Sequence, residues 1–209
     1  MPAPGPSGTW YDDFLGNKRN YKWVSKRYSQ GGQNTGVWLT YVKDSKLYWT
    51  GVDKVTEGSW WGETISLPVN APGDIIIEAS MRIKYGGNYC AMALGINDPG
   101  TLMTNYGIAS YSEGLLKTGA LNATAGTPFP GFPSMTQRFD NYTDFILNYR
   151  IVRKNGYAFL YANGTFIGQY AYANLITTVD ICFKRHAAGN TTGETWCDWI
   201  SVYPREVVL

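Results

Sequence analysis

The sequence predicts an all-β fold, a two-sheet antiparallel β-sandwich, and three observations carry that expectation. Apolar and polar residues alternate over short runs, the signature of half-buried strands. Asn-Gly and Gly-Gly-Asn signals separate several of those runs, as tight hairpins require. No segment sustains a helical period. Composition agrees: aromatics are 15% of the chain, with 8 Trp and 16 Tyr, and 24 Gly supply turns between them.

Taken in order, Trp10 to Leu15, Tyr21 to Arg27, Gly36 to Val42, Lys46 to Thr50 and Ser59 to Leu67 read as short strands rich in aromatic and β-branched residues. Asp74 to Lys84 is the cleanest element. Ile75, Ile77, Ala79, Met81 and Ile83 share one face, and Glu78, Ser80, Arg82 and Lys84 share the other. Tyr89 to Ile96 follows a Gly86-Gly87-Asn88 turn, with Cys90, Met92, Leu94 and Ile96 on one face. Phe145 to Val152, Tyr157 to Ala162 and Thr165 to Tyr170 form a meander joined at Asn155-Gly156 and Asn163-Gly164. A single helical turn near Ala173 to Leu175 fits before Val179 to Lys184. Thr195 to Tyr203 closes the series; taking Trp196, Ile200 and Val202 as inward puts Asp198 on their face. A carboxylate there must be solvated at an edge, hydrogen-bonded or bound to a cation.

One stretch breaks the rhythm. From Ser112 to Asn141 about thirty residues are rich in Gly, Pro, Thr and Ala, with Phe129, Phe132 and Phe139 as anchors. It reads as a long loop, either a packed flap or a contributor to a binding surface or oligomer contact. The expectation is a single sandwich domain over residues 9–209, because 209 residues suit one all-β unit and no repeat or change of composition divides them. Met1 to Gly8 reads as a Pro/Gly-rich linker, short arm or tag remnant. It lacks the apolar segment of a signal peptide, and it fits equally the start left by a removed leader.

A net charge of +2, with no Lys/Arg run beyond pairs such as Lys18-Arg19 and Lys26-Arg27, argues against nucleic acid as a partner. No apolar stretch has the length of a membrane span. The 3 cysteines are neither a disulfide framework nor a metal cluster. Asn122, Asn141, Asn163 and Asn190 each begin an Asn-x-Thr sequon, a glycosylation acceptor in a secretory system. If the last hairpin pairs Ile181 with Asp198, Cys182 and Cys197 fall opposite one another, Cα atoms roughly 4.5–5.5 Å apart. Either a cross-strand disulfide or two free thiols fits that placement, and a disulfide would indicate an extracellular setting. Cys90 reads as a buried thiol.

Several motifs in this order resemble the concanavalin A-like lectin and glucanase superfamily. They are Trp10-Tyr11-Asp12-Asp13-Phe14, Trp23, the Lys46 to Gly51 strand, Ile75-Ile76-Ile77-Glu78-Ala79, the Tyr161 to Gly168 hairpin and Asp198-Trp199-Ile200-Ser201-Val202-Tyr203. The resemblance spans about Trp10 to Pro204 and is nearest to laminin-G-like or carbohydrate-binding, non-catalytic members. It implies a jelly roll of two curved antiparallel sheets that often bind glycans on the concave face or rim. Fold alone leaves the function open.

Retaining glucanases of that superfamily carry Glu-x-Asp-x-x-Glu on one strand, supplying nucleophile and acid/base. None of Glu57, Glu63, Glu78, Glu113, Glu194 and Glu206 stands in that spacing. The single His, His186, would have to serve any lyase or triad chemistry. The resemblance also implies a structural calcium, held by Asp198 with Asp12 or Asp13 nearby if first and last strands pair; the alternative is a hydrogen-bonded Asp without an ion. Sugar rings stack on aromatic faces, which nominates Trp38, Trp49, Trp60, Trp61, Tyr85, Tyr89, Tyr106 and Tyr111. Most such rings in a sandwich are core or cross-strand pairs, and adjacent Trp60 and Trp61 must face opposite ways.

The leading expectation is a non-catalytic carbohydrate-binding module in an extracellular, cell-surface or virion-surface setting. The alternatives are a structural assembly subunit using the sandwich as a brick, through self-association or a larger assembly, and a polysaccharide hydrolase or lyase with an unfamiliar site.

Overall fold

The computed structural model describes residues 10–17, 23–28, 37–52, 60–66, 74–84, 90–97, 105–112, 115–122, 127–128, 135–138, 144–172, 176, 178–185 and 194–204. In chain order the strands are β1 (Trp10–Asp12), β2 (Trp23–Tyr28), β3 (Val37–Lys43), β4 (Lys46–Val52), β5 (Trp60–Ser66), β6 (Ile75–Lys84), β7 (Cys90–Asn97) and β8 (Asn105–Ser112). There follow β9 (Leu115–Asn122), β10 (Thr127–Pro128), β11 (Met135–Arg138), β12 (Asp144–Lys154), β13 (Tyr157–Ala162), β14 (Thr165–Ala171), β15 (Thr178–Arg185) and β16 (Glu194–Pro204). A single 3-10 turn, Leu15–Asn17, follows β1.

These strands form two antiparallel sheets. The first runs β14-β13-β12-β6-β16-β4-β3, with β1 also paired to β16; the second runs β10-β9-β8-β7-β15-β5-β2, with β11 also paired to β9. Ile75, Ile77, Ala79 and Met81 of β6 are buried against Met92, Leu94 and Ile96 of β7 and Val179 and Ile181 of β15 in one core that runs from Phe14 to Val202. The alternation read from β6 therefore sets which side of the first sheet faces inward. Glu78 and Arg82 take the other side, and that outer face carries the site.

A buried polar thread crosses the core. The Tyr149 hydroxyl donates to Ser110 Oγ, and Ser110 Oγ lies 2.6 Å from Thr118 Oγ1, so β12 of the first sheet is tied to β8 and β9 of the second. Burial raises the Tyr149 pKa, against a smaller lowering from its bond to Ser110, and the hydroxyl stays protonated.

Three expectations change. The stretch from Ser112 to Asn141 is not one long loop: β9, β10 and β11 lie within it, and β9 pairs with all of β8, β10 and β11. Strand β8 (Asn105–Ser112) was also unread. In both β8 and β9 Gly, Ala, Asn and Ser or Lys interrupt the Tyr, Ile and Leu residues and weaken the local strand signal; neighbouring strands supply the pairing. Phe129, Phe132 and Phe139 lie outside the described residues, as do Ala173 to Leu175.

The Cys182–Cys197 pairing does not form. β15 and β16 belong to different sheets, Ile181 pairs with Glu63 and Leu94 rather than Asp198, and Cys197 is a buried free thiol. Two consecutive strands that read as a hairpin instead cross between sheets. Burial, and then the neighbouring Asp198 charge, raise the Cys197 pKa well above the ordinary thiol value.

Strand β16 does not keep one alternation through its length. Cys197 pairs with Met81 while Trp199 pairs with Ser80, so Asp198 is an extra residue in a β-bulge. Cys197, Ile200 and Val202 thus face the core, whereas Trp196 lies opposite Arg82 on the outer face. The expected inward set of Trp196, Asp198, Ile200 and Val202 is split at the bulge, because one inserted residue reverses every side chain beyond it.

Candidate functional site

The outer face of the first sheet is organised in rows of directly opposed residues. One row runs Phe166, Tyr161, Arg150, Glu78, Ser201 and Tyr11 across β14, β13, β12, β6, β16 and β1. The next contains Asn148, Ser80 and Trp199. A third contains Ile146, Arg82, Trp196, Tyr48 and Tyr41. Residues opposed on neighbouring strands stand close on one face, so side chains distant in sequence converge here.

The first two rows enclose a groove of about 450 Å³ lined by Glu78, Asn148, Tyr149, Arg150, Tyr161, Gly164 and Trp199. Its centre is polar. Glu78 Oε2 accepts a hydrogen bond from the Tyr203 hydroxyl at 2.7 Å, and Glu78 Oε1 lies 3.4 Å from Arg150 Nε in an ionic contact. Burial first, and then Glu78, raise the Tyr203 pKa, which keeps that hydroxyl a donor. At the bulge, Arg82 Nε donates to Asp198 Oδ2 at 2.8 Å. Aromatic rings flank this centre: Trp199 beside Tyr11, centroids 6.4 Å apart, and Tyr161 edge-on to Phe166 at 5.5 Å.

The third row is different in kind. Tyr41 and Tyr48 stack at 5.4 Å and 10°, Tyr48 meets Trp196 at 5.6 Å, and the Lys46 ammonium lies 5.4 Å from the Trp196 ring centre. Stacking and a cation engage these rings, so the row stiffens the sheet, with Tyr41 exposed at its end.

The carboxylates nominated for calcium are engaged within the chain. β1 does pair with β16, with Asp12 opposite Ile200. Asp12 Oδ1 accepts from the Phe14 N–H at 2.8 Å and Asp13 Oδ1 from the Leu15 N–H at 3.3 Å, each bracing the turn after β1. Asp198 is held by Arg82, which a cation there would have to displace. Among the described residues no cluster of three or more His, Cys, Asp or Glu gathers to hold a metal.

The nominated aromatic residues mostly lie elsewhere. Trp60 and Trp61 are on β5 and Tyr106 and Tyr111 on β8, strands of the second sheet, across the core from the groove. Trp38 and Trp49 belong to β3 and β4 of the first sheet, opposite Gly51 and Thr195 respectively. The side chains of these six, and Tyr85 and Tyr89 altogether, lie outside the described residues. Of the sequons, Asn163 occupies the exposed β13–β14 turn, where its side-chain oxygen accepts the Asn148 N–H at 2.8 Å. Asn122 ends β9, and Asn141 and Asn190 lie outside the described residues. The residues that do form the groove went unnominated. Tyr161 is legible in the Tyr157, Phe159, Tyr161 alternation and Trp199 in its place beside the inward Ile200, whereas Trp196 joins them on the outer face only through a bulge with no local signal.

No protein-family model and no curated protein matches the chain. Solved structures do. A Bacillus licheniformis β-glucanase is 13% identical with a TM-score of 0.61, over 95% of this chain and 99% of that one. The catalytic domain of an endo-1,3-β-glucanase (laminarinase) from Thermotoga petrophila RKU-1 is 10% identical, TM-score 0.59, over 93% and 96%. The Emp47p carbohydrate recognition domain is 8% identical, TM-score 0.57, over 94% and 95%. The fold is a concanavalin A-like jelly roll. At these identities the similarity establishes architecture, and the chemistry must be argued from the groove.

Proposed function

We propose that this chain is a non-catalytic carbohydrate-binding module that holds a glycan in the outer-face groove of the first sheet. One observation carries the reading: Trp199 and Tyr161 flank a groove whose lining carboxylate, Glu78, is engaged by Tyr203 and Arg150, with a second engaged pair, Asp198 and Arg82, beside it on the same face. Rings supply faces for pyranose C–H groups, and Asn148, Glu78 and Arg150 supply directional bonds for hydroxyls. Glu78 receives both the Tyr203 hydroxyl and the Arg150 guanidinium, and Asp198 receives Arg82. Both carboxylates are thus engaged by partners within the chain, whereas an acid/base role needs a carboxyl aimed at the ligand. An extracellular or surface setting, where glycans are met, belongs to the same proposal.

Affinity electrophoresis through gels of plant, algal, fungal and bacterial polysaccharides tests it. Retardation that is lost in Trp199→Ala and Tyr161→Ala is expected; free migration in every gel counts against it.

A second reading has its own support. The two glucanases share the fold, and Glu78 and Asp198 stand on one face of the same sheet as candidate carboxylates for glycoside hydrolysis. Incubation with β-1,3- and β-1,4-glucans, followed by a reducing-end assay, separates the two. Activity abolished by Glu78→Gln would make the chain a hydrolase.

A further inference from the structure

Resting on the binding reading above, we propose that the groove's ion pair Glu78–Arg150, with Asp198–Arg82 beside it on the same face, acts as a charge filter that admits uncharged polyhydroxylated glycans and rejects carboxylated or sulfated ones. A guanidinium is the side chain best shaped to grip a carboxylate or sulfate, since its planar fork donates two parallel bonds. Two of them on this face, Arg150 and Arg82, would by themselves recommend an anionic ligand. Here each is answered. Glu78 Oε1 lies 3.4 Å from Arg150 Nε, and Asp198 Oδ2 lies 2.8 Å from Arg82 Nε.

The acids of both pairs are held in place. Glu78 is fixed from its other oxygen by the Tyr203 hydroxyl at 2.7 Å, and Asp198 sits in the bulge of β16, where the backbone aims it at Arg82. The acids are the less exposed partners, 28% for Glu78 and 19% for Asp198, against 40% and 31% for their arginines. An arriving anion would meet two carboxylates beside the arginines it seeks and would have to compete with them, an arrangement that selects by repulsion as well as attraction. Of the lysines on this face, Lys46 is drawn over the Trp196 ring, and Lys43 and Lys154 stand outside the groove lining. What remains in the groove is spare hydrogen-bond valence without net charge: further guanidinium N–H groups, carboxylate lone pairs and the Asn148 amide. That set suits sugar hydroxyls, which both donate and accept.

The test measures binding of the full chain, and of Glu78→Gln and Asp198→Asn, to a neutral β-glucan and to a polyuronate and a sulfated galactan at two salt concentrations. Circular dichroism confirms the fold of each variant. The wild type should bind the neutral polymer with little salt dependence and the anionic ones weakly. Either variant, by releasing an arginine, should gain anionic-glycan affinity severalfold, and salt should remove the gain. A wild-type chain that prefers the anionic polymers, or variants whose anionic-to-neutral ratio matches wild type, overturns the filter while leaving glycan binding standing. Binding to none of the three by wild type and variants alike overturns the binding reading and the filter together.

Discussion

Tyr149→Phe and Ser110→Ala should destabilise the protein unequally, and the inequality follows from where each hydroxyl sits in the inter-sheet thread. Tyr149 is at one end, donating to Ser110, and Ser110 in turn lies 2.6 Å from Thr118. Tyr149 and Ser110 are 1% and 0% exposed, so water does not readily replace a lost bond. Removing the Tyr149 hydroxyl leaves Ser110 with Thr118, so the loss is close to one net hydrogen bond, about 1 kcal/mol. Removing the Ser110 hydroxyl leaves the Tyr149 and Thr118 hydroxyls both without it, and each orphaned buried group costs roughly 1–3 kcal/mol, or about 2–6 kcal/mol for the pair. In a chain of this size about 1 kcal/mol corresponds to roughly 2–4 °C of Tm. Urea unfolding followed by circular dichroism, with thermal melts beside it, reads both variants and the Tyr149→Phe/Ser110→Ala double variant. The double variant should cost less than the sum of the singles, because the first loss already orphans the second group. A Tyr149→Phe penalty equal to or above that of Ser110→Ala, or strict additivity, would refute the thread as described.

Three further outcomes follow from the coordinates. An added Cβ at Gly107 would meet the Leu94 carbonyl oxygen at 2.0 Å and Gly95 Cα at 2.8 Å, whereas one at Gly164 meets nothing within 4 Å and faces only a φ of +76°. Gly107→Ala should therefore cost roughly 3 kcal/mol or prevent folding, and Gly164→Ala about 1 kcal/mol, in the same denaturation assay. Stability should decline at alkaline pH. Tyr149 and Tyr203 have folded pKa values raised above 10.0 and Cys197 one raised above 9.0. The unfolded chain then loses those protons first, so the stabilisation is complete below the ordinary values and falls as pH climbs through them. Tyr149→Phe should flatten that fall, seen as Tm against pH from neutral upward. In the groove, Trp199→Ala and Tyr161→Ala should each weaken glycan binding by roughly tenfold with Tm nearly unchanged, measured by titration calorimetry, while Tyr41→Ala, whose ring stacks on Tyr48, should leave binding at the wild-type level.

How far the site could be read in advance differs from residue to residue. Glu78 is visible as the lone acid of the Ile75 to Lys84 strand, and its face is correct because the alternation there is uninterrupted. Its partners were not visible. Arg150 and Tyr203 stand 72 and 125 positions away, and only the registers of β12 and β16 against β6 bring them to it. The aromatic nominations leaned on abundance and failed to choose a face, since ring content in a sandwich is shared among core, cross-strand pairs and surface.

The sequence by itself determined that short alternating strands and Asn-Gly turns would build a two-layer antiparallel sandwich, because side-chain period and turn chemistry are local properties. Tertiary structure decided the rest. Whether β15 and β16 form a hairpin or cross between sheets depends on which strands lie next to each, and local pattern is the same in both cases. Where β16 bulges is likewise settled by its pairing with β6. That one extra residue, Asp198, sets Trp196 on the same outer face as Trp199 and a carboxylate against Arg82, and thereby decides which rings and charges this face presents.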